Sequence, residues 1–363
     1  MSDLLRMGID VGSTTVKVVI IDEKDNMLFN RYERHYSEVL DTVKKLVEEA
    51  YSTIGKNNVS AMITGSGGVS LSEAVDIPFI QEVVATANAI EKVIPKTNVA
   101  IELGGEDAKI IYFEGGNVEE RMNGICAGGT GSFIDQMASL LQTDAEGLNE
   151  LAKKHNIIYP IASRCGVFAK TDIQPLINEG AAREDLAASI FQAVVNQTIS
   201  GLACGKPIRG NVAFLGGPLH FLSELRERFI ETLGLNEETA LMPENSHLFA
   251  AFGSAISADT TKVSDFETLI AHLGKKNILS AEIARLEPLF HNKEEYDVFT
   301  KRHEKASVPK KDLKSYKGNA FLGIDAGSTT TKTALVADDG SLLYSFYASN
   351  EGNPLKVVIQ SLN

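Results

Sequence analysis

The chain has 363 residues, more than one hydrophobic core ordinarily supports, so two or more folding units are expected. Its 44% hydrophobic and 23% charged residues are those of an ordinary globular protein, and a formal charge of −13 argues against a nucleic-acid binder, which needs a basic face. No apolar run approaches the ~20 residues of a membrane helix, the first strand follows Met1 too closely for a signal peptide, and three widely spaced cysteines make no disulfide framework; a cytoplasmic location is expected.

In chain order, residues 7–36 read as strand, turn, strand. Val16, Val18, Val19, Ile20 and Ile21 are β-branched, Glu23-Lys24-Asp25-Asn26 is a polar turn, and a second strand occupies 27–36. Residues 37–54 carry Val39, Leu40, Val43, Leu46 and Val47 at helical spacing. A buried strand at 59–64 leads into Gly65-Ser66-Gly67-Gly68, a strand-to-helix turn, and helical segments follow to about 93. At Val99 the pattern restarts: strand 99–103, Gly104-Gly105, strand 109–113, a turn at Gly115-Gly116-Asn117 and strand 118–122. Helices are expected at 132–142, 144–154, 170–178 and 184–204. A strand at 211–215 ends in Gly216-Gly217-Pro218 and passes into a helix at 221–233, and a helix at 247–258 closes the unit. From about 262 to 318 the segments turn polar, with seven Lys or Arg against two acids between Lys301 and Lys317, and read as a solvated linker.

A decapeptide then returns. Gly8-Ile9-Asp10-Val11-Gly12-Ser13-Thr14-Thr15-Val16-Lys17 recurs 315 residues later as Gly323-Ile324-Asp325-Ala326-Gly327-Ser328-Thr329-Thr330-Thr331-Lys332, identical at eight of ten positions. The chain therefore carries two starts of one repeated unit. The second copy lacks a second phosphate loop and an adenosine loop of its own, so it cannot form a complete nucleotide site, and the chain reads as a fragment of a longer protein.

A carboxylate, a glycine turn, three hydroxyls and a lysine suit a metal–phosphate complex. The loop is not Walker A, because Lys17 opens a strand (Val18-Val19-Ile20-Ile21) instead of a helix and the carboxylate precedes the glycine. At a hairpin tip, backbone N–H groups of the Gly12 turn and the Ser13, Thr14 and Thr15 hydroxyls can face phosphate oxygens, with Lys17 beside them. Asp10 can hold a hydrated Mg²⁺, which prefers one or two carboxylates plus water and phosphate. The same grammar recurs at Glu102-Leu103-Gly104-Gly105-Glu106-Asp107-Ala108-Lys109, so two hairpins would clamp the phosphates from both sides. The third site, Gly216-Gly217-Pro218, leads into a helix, where glycines let adenosine approach the backbone and the helix dipole adds to binding.

This order of loops resembles the actin, hexokinase and Hsp70-like ATPase superfamily. Asn123-Gly124-Ile125-Cys126-Ala127-Gly128-Gly129-Thr130-Gly131-Ser132-Phe133 and Ser163-Arg164-Cys165-Gly166-Val167-Phe168-Ala169 are similar to one branch, the ATPase activators of 2-hydroxyacyl-CoA dehydratases and the ATPase subunits of benzoyl-CoA reductases. The match runs over about 7–258 and restarts at 321, like the large multi-repeat members. The resemblance implies an α/β, two-lobed actin-like ATPase fold of duplicated ribonuclease-H-like domains. The expected boundaries are lobe I at 1–95 and 246–260, lobe II at 96–245, a linker at 261–318 and a truncated second repeat at 319–363. Catalytic roles fall to Asp10, Glu102 and Asp107. Nucleotide contacts fall to Gly12, Ser13, Thr14, Thr15, Lys17, Gly104, Gly105, Lys109, Gly128, Gly129, Thr130, Gly216, Gly217 and Pro218. Two positions depart from the family pattern: Glu102 stands where many relatives have Asp, and Gly166 follows the second cysteine where a small hydroxyl residue is common.

Unaided, Cys126 and Cys165, 39 residues apart, read as inert core thiols. Yet Cys126 precedes Gly-Gly-Thr-Gly and a helix start, where N–H groups stabilise thiolate. A [4Fe–4S] cluster takes four thiolates, and a two-fold dimer would double these two. The resemblance implies that arrangement: a homodimer holding one cluster through Cys126 and Cys165, using ATP/ADP and Mg²⁺, fed by a ferredoxin or flavodoxin, and passing an electron to a partner dehydratase or CoA-thioester reductase. Cys204 reads as structural. A small-molecule kinase of the same superfamily shares all three nucleotide loops but would need a substrate base and no iron; a nucleotide-dependent scaffold is the rival from another class.

Overall fold

The computed structural model of the chain describes residues 4–123, 128–274, 286–327, 329–350 and 353–363. They form two compact units: Met1–Asp172 with Arg183–Ser280, and Ile173–Ala182 with Ala281–Asn363.

The first unit opens with β1 (Leu5–Val11), β2 (Thr15–Ile21) and β3 (Met27–Arg34), followed by α1 (Val39–Ile54), β4 (Asn58–Thr64), α2 (Gly68–Val75) and α3 (Glu82–Val93). β1 lies between antiparallel β2 and parallel β4, which satisfy both its edges; α1 packs on one face, where Met7, Ile9 and Val11 share a core with Val43, Leu46 and Val47, and the helix at 249–256 presses on Gly8. That is why it reads as a near-continuous apolar run. Each such side chain contributes roughly 1.5–3 kcal/mol by burial. The second sheet repeats the plan with β5 (Val99–Leu103), β6 (Ala108–Glu114) and β7 (Asn117–Met122). Then come α4 (Gly131–Leu140), α5 (Ala145–Ala152), α6 (Gly166–Asn178), α7 (Arg183–Thr198) and β8 (Val212–Leu215), which pairs parallel with β5 as β4 pairs with β1. α8 (Gly217–Phe221), α9 (Ser223–Leu233) and β9 (Ala240–Leu241) complete it, with strand order β7-β6-β5-β8-β9.

α10 (Phe249–Ile256) returns to the middle and lies with α3 between the two sheets. Ala89, Ile90, Ala251 and Ala255 of these helices share one core with Val19 and Ile21 of the first sheet and Ala100, Ile111, Ala213 and Leu215 of the second. The approach is close: a Cβ on Gly8 would stand 1.9 Å from the Ala251 carbonyl oxygen.

Three segments differ from the sequence reading. The expected helix at 221–233 begins earlier, as the five-residue α8, and breaks at Leu222 before α9. The first unit continues past 261: β10 (Ser264–Asp265) pairs with β4, and α11 (Phe266–Leu273) buries Phe266, Leu269 and Leu273 in the first core, inside the segment read as polar linker. α7 runs on into a π-helical turn at Ile199–Ala203, and Arg183–Ala203 is, by length and composition, apolar enough to cross a membrane. That corrects the count of apolar runs, but 67% of its most apolar window is buried in the protein, as in a core helix.

The second unit takes the end of α6, from Ile173, and contains α12 (Lys293–Glu304), β11 (Ala320–Ala326), β12 (Thr330–Ala337), β13 (Leu342–Ser349) and α13 (Pro354–Leu362). Its three strands form an antiparallel sheet in the order β11-β12-β13.

Candidate nucleotide-binding site

The first hairpin turns at Gly12, whose N–H donates to the Thr15 carbonyl at 2.9 Å. The register places Asp10 directly across from Lys17, and Lys17 Nζ donates to Asp10 Oδ2 at 2.7 Å. Asp10 is 2% exposed, and its other oxygen, Oδ1, is buried with no hydrogen-bond partner among the described residues. Burial pushes the Asp10 carboxyl upward against the pull of Lys17. Ser13, Thr14 and Thr15 occupy the turn, and the Lys17 ammonium lies 5.7 Å from the centre of the Tyr32 ring.

The second hairpin has the same register, Glu102 across from Lys109, but not the same bond. Lys109 Nζ donates to Glu82 Oε1 at 2.5 Å, while Glu102 Oε2 is buried without a partner among the described residues. Burial raises the Glu102 carboxyl to about 7; Lys109 opposes this and the neighbouring Glu82 and Asp10 charges add to it. Three carboxylates (Asp10, Glu82, Glu102) thus share a buried space with two ammonium groups (Lys17, Lys109). The turn closes through Gly104 N–H donating to the half-buried Asp107's carbonyl at 2.7 Å. The two turns meet directly: a Cβ on Gly105 would stand 2.1 Å from Thr14 Oγ1.

Gly216 at the third loop has φ +88, a left-handed conformation suited to glycine, and a Cβ there would stand 2.1 Å from the Leu103 carbonyl oxygen. Gly217 packs on the Tyr32 hydroxyl, and Pro218 occupies the first turn of the short α8. A cavity of about 270 Å³ opens between the three loops. Thr14 and Thr15, Tyr32 and Arg34 line it from the first sheet, and Gly105, Ser132, Asp135, Pro218 and Phe221 from the second. Arg34 bridges it, bonding both oxygens of Asp135 at 2.7 and 3.2 Å.

Gly128, Gly129 and Thr130 are buried just ahead of α4. The first-turn N–H groups of Gly131 and Ser132 donate to the Gly104 and Gly105 carbonyls at 2.9 and 2.8 Å. On the other side, Asn123 Oδ1 accepts from the Ala108 N–H at 2.7 Å and its Nδ2 donates to the Glu106 carbonyl at 3.0 Å. The segment carrying Cys126 is thereby pinned at both ends to the second hairpin; Cys126 itself lies outside the described residues. Cys165 is half-buried and opens α6, its carbonyl accepting from the Phe168 and Ala169 N–H groups, with exposed Val167 and Phe168 beside it. Cys204 is exposed at φ +45 beyond the π turn.

Of the predicted residues, Thr14, Thr15, Gly105, Gly217 and Pro218 line one cleft, Asp10, Lys17, Glu102 and Lys109 group as interacting charges, and half-buried Cys165 lies outside that lining. Sequence reading missed Glu82, Tyr32, Arg34 and Asp135. For Tyr32 a signal existed, since Tyr347 repeats it at the same 315-residue offset. Glu82 is one acid among 48 Asp and Glu, and only the fold brings it to Lys109.

Residues 7–245 match the BadF/BadG/BcrA/BcrD ATPase family. The chain is 29% identical to the 2-hydroxyisocaproyl-CoA dehydratase activator of Clostridioides difficile over 72% of its length and 97% of the relative's. It is likewise 29% identical to the (R)-2-hydroxyglutaryl-CoA dehydratase activating ATPase of Acidaminococcus fermentans, over 69% of this chain and 96% of that one. The crystal structure of component A of the Acidaminococcus fermentans (R)-2-hydroxyglutaryl-CoA dehydratase superposes with a TM-score of 0.62 at 26% identity, covering 73% of this chain and 99% of the other. The duplicated sheets, each with a hairpin start and a parallel fourth strand, are thus the lobes of an actin-like ATPase, and the chain belongs to the BadF/BadG/BcrA/BcrD ATPase family.

Proposed function

We propose that this ATPase couples ATP turnover to electron delivery, activating a 2-hydroxyacyl-CoA dehydratase or a related CoA-thioester reductase. Relatives named as dehydratase activators, one of them as an activating ATPase, match this chain over nearly their whole length, which supports the activation part of the reading. The observation that carries the coupling is the pinning of the Cys126 segment, through Asn123, Gly131 and Ser132, to the hairpin at 104–108. Movement of that hairpin with the nucleotide state would be felt at the cysteine.

The residues fit the groups this reading requires. Asp10 Oδ1, buried and without a partner among the described residues, suits a hydrated Mg²⁺. Gly12, Ser13, Thr14, Thr15 and Lys17 would bind phosphate oxygens from one side. Gly104, Gly105 and Lys109 would bind from the other, with Gly128, Gly129 and Thr130 behind them, and Asp107 would keep a catalytic role beside Asp10 and Glu102. Gly216, Gly217 and Pro218 would carry the adenosine. Glu102, raised to about 7, is suited to accept a proton from water near neutral pH. Cys126 and Cys165 of two chains would hold one [4Fe–4S] cluster on a two-fold axis, and apolar Val167 and Phe168 suit a subunit or partner contact. When bound, the cluster supplies one low-potential electron, replenished by a ferredoxin or flavodoxin.

Oxygen-free purification with iron and sulfide analysis tests this. A brown dimer holding one cluster per two chains is expected, and Cys126→Ala or Cys165→Ala should abolish both colour and partner reduction. Colourless oxygen-free protein, or full electron transfer by either variant, overturns the reading.

A further inference from the structure

The acid–lysine pattern occurs three times in this chain, and two copies close on themselves. Asp10 bonds Lys17 at 2.7 Å, and in the second unit Asp325 bonds Lys332 at 3.0 Å. The third does not. Lys109, although directly across from Glu102, is drawn 2.5 Å from Glu82, a residue outside every glycine loop. Glu82 opens α3, one of the two helices between the sheets, so it reaches Lys109 from outside the second sheet. The Lys109 side chain is only 6% exposed, and Glu102 Oε2 is left buried with no partner among the described residues. A buried carboxylate oxygen beside a lysine on the facing strand would ordinarily be bonded to it.

We propose that Glu82 is a positioning residue for ATP hydrolysis: it holds the Lys109 ammonium away from Glu102 and leaves the buried Glu102 Oε2 without a partner among the described residues, free to take a proton. The inference rests on the reading of Glu102 as the carboxylate that accepts the proton of the attacking water. In the step served, the water oxygen forms a bond to the γ-phosphorus, and the bond from that phosphorus to the bridging oxygen breaks with its electron pair left on ADP. The water proton passes to Glu102 Oε2 and is later released to solvent. With Glu82 neutral, Lys109 is free to close on Glu102 as Lys17 closes on Asp10, occupying the oxygen that would take the proton.

The test uses steady-state ATPase kinetics on the full chain. Glu82→Gln should lower kcat roughly 10- to 100-fold with KM for ATP within about twofold, and Glu82→Asp should restore most of kcat. Because both variants act through one oxygen, Glu82→Gln combined with Glu102→Gln should be no slower than Glu102→Gln alone. Wild-type kcat in Glu82→Gln beside an impaired Glu102→Gln overturns the role of Glu82 and leaves that of Glu102 intact; wild-type kcat in Glu102→Gln overturns the reading beneath it. A thermal melt separates loss of fold from loss of rate. Should Glu82→Gln unfold, it is introduced into Lys109→Met, where no ammonium is left to restrain and kcat should fall no further; an additional fall overturns the proposal.

Discussion

The β1–β2 and β11–β12 hairpins carry decapeptides identical at eight of ten positions and close in the same way. Their turns are sealed by Gly12 N–H to the Thr15 carbonyl at 2.9 Å and by Gly327 N–H to the Thr330 carbonyl at 3.0 Å. Each lysine lies near a tyrosine, 5.7 Å from Tyr32 and 6.0 Å from Tyr347, and each second strand carries a register shift, at Ile20/Ile21 and at Leu335/Val336. Even the support beneath the turn is matched: His35 Nε2 contacts the Gly12 carbonyl, and Asn350 Nδ2 donates to that of Gly327. Burial separates them. Met7 and Ile9 are 0% and 1% exposed, whereas their counterparts Leu322 and Ile324 are 52% and 43% exposed. β4 pairs with the second edge of β1 and α10 packs on it, while among the described residues β11 pairs only with β12. Hairpin geometry is thus local and travels with the sequence; the desolvation that gives Asp10 its unusual chemistry comes from elements over 40 residues away.

Substitutions in paired positions can break or sharpen this contrast. Lys17→Met should cost the ATPase about 10³-fold in kcat, roughly 4 kcal/mol, by removing a positioned charge; Lys332→Met should stay within twofold. Equal losses would mean that both hairpins carry catalysis. Gly8→Ala forces a Cβ against the Ala251 carbonyl and is expected to destabilise the first unit by about 3 kcal/mol in denaturant unfolding. Gly323→Ala should change stability by under about 0.5 kcal/mol, because the nearest atom to its Cβ is Ala334 O at 3.9 Å.

The pH dependence isolates Glu102, whose carboxyl lies at about 7 folded against 4.5 in its ordinary state. Between those values the folded protein keeps a proton that the unfolded chain has released. Its stabilising share, complete below about 4.5, is therefore lost as pH rises through 7. Glu102→Gln should flatten the stability–pH curve across this window by up to ~3 kcal/mol, read from urea midpoints. The smallest effect belongs to Asp135→Asn: the Arg34 pair is about half exposed, so under ~1 kcal/mol of stability is expected to go.

Much of the fold was legible because its signals are local. Alternating β-branched runs and polar turns marked β1 to β3 and β5 to β7, and Gly104-Gly105 and Gly216-Gly217 marked loops that make close contacts. The two-residue β9 and β10 carry no periodicity to read. α11 was missed because Phe266, Leu269 and Leu273 stand among acids and lysines, and only packing against the first core shows that they turn inward. The two hairpins of the site were legible for the same reason as the strands. Glu82 was not, since its meaning is a contact 27 residues away, from a helix to a strand of the second sheet.

On the proposed coupling, the tether at Asn123, Gly131 and Ser132 would also work in reverse. Thermodynamic linkage is reciprocal, so whatever the nucleotide did to a cluster held by the proposed cysteines, the redox state of that cluster would do to the nucleotide. A reduced protein should then hold ADP with a different affinity from an oxidised one, and the electron itself would act as an effector of ATP turnover.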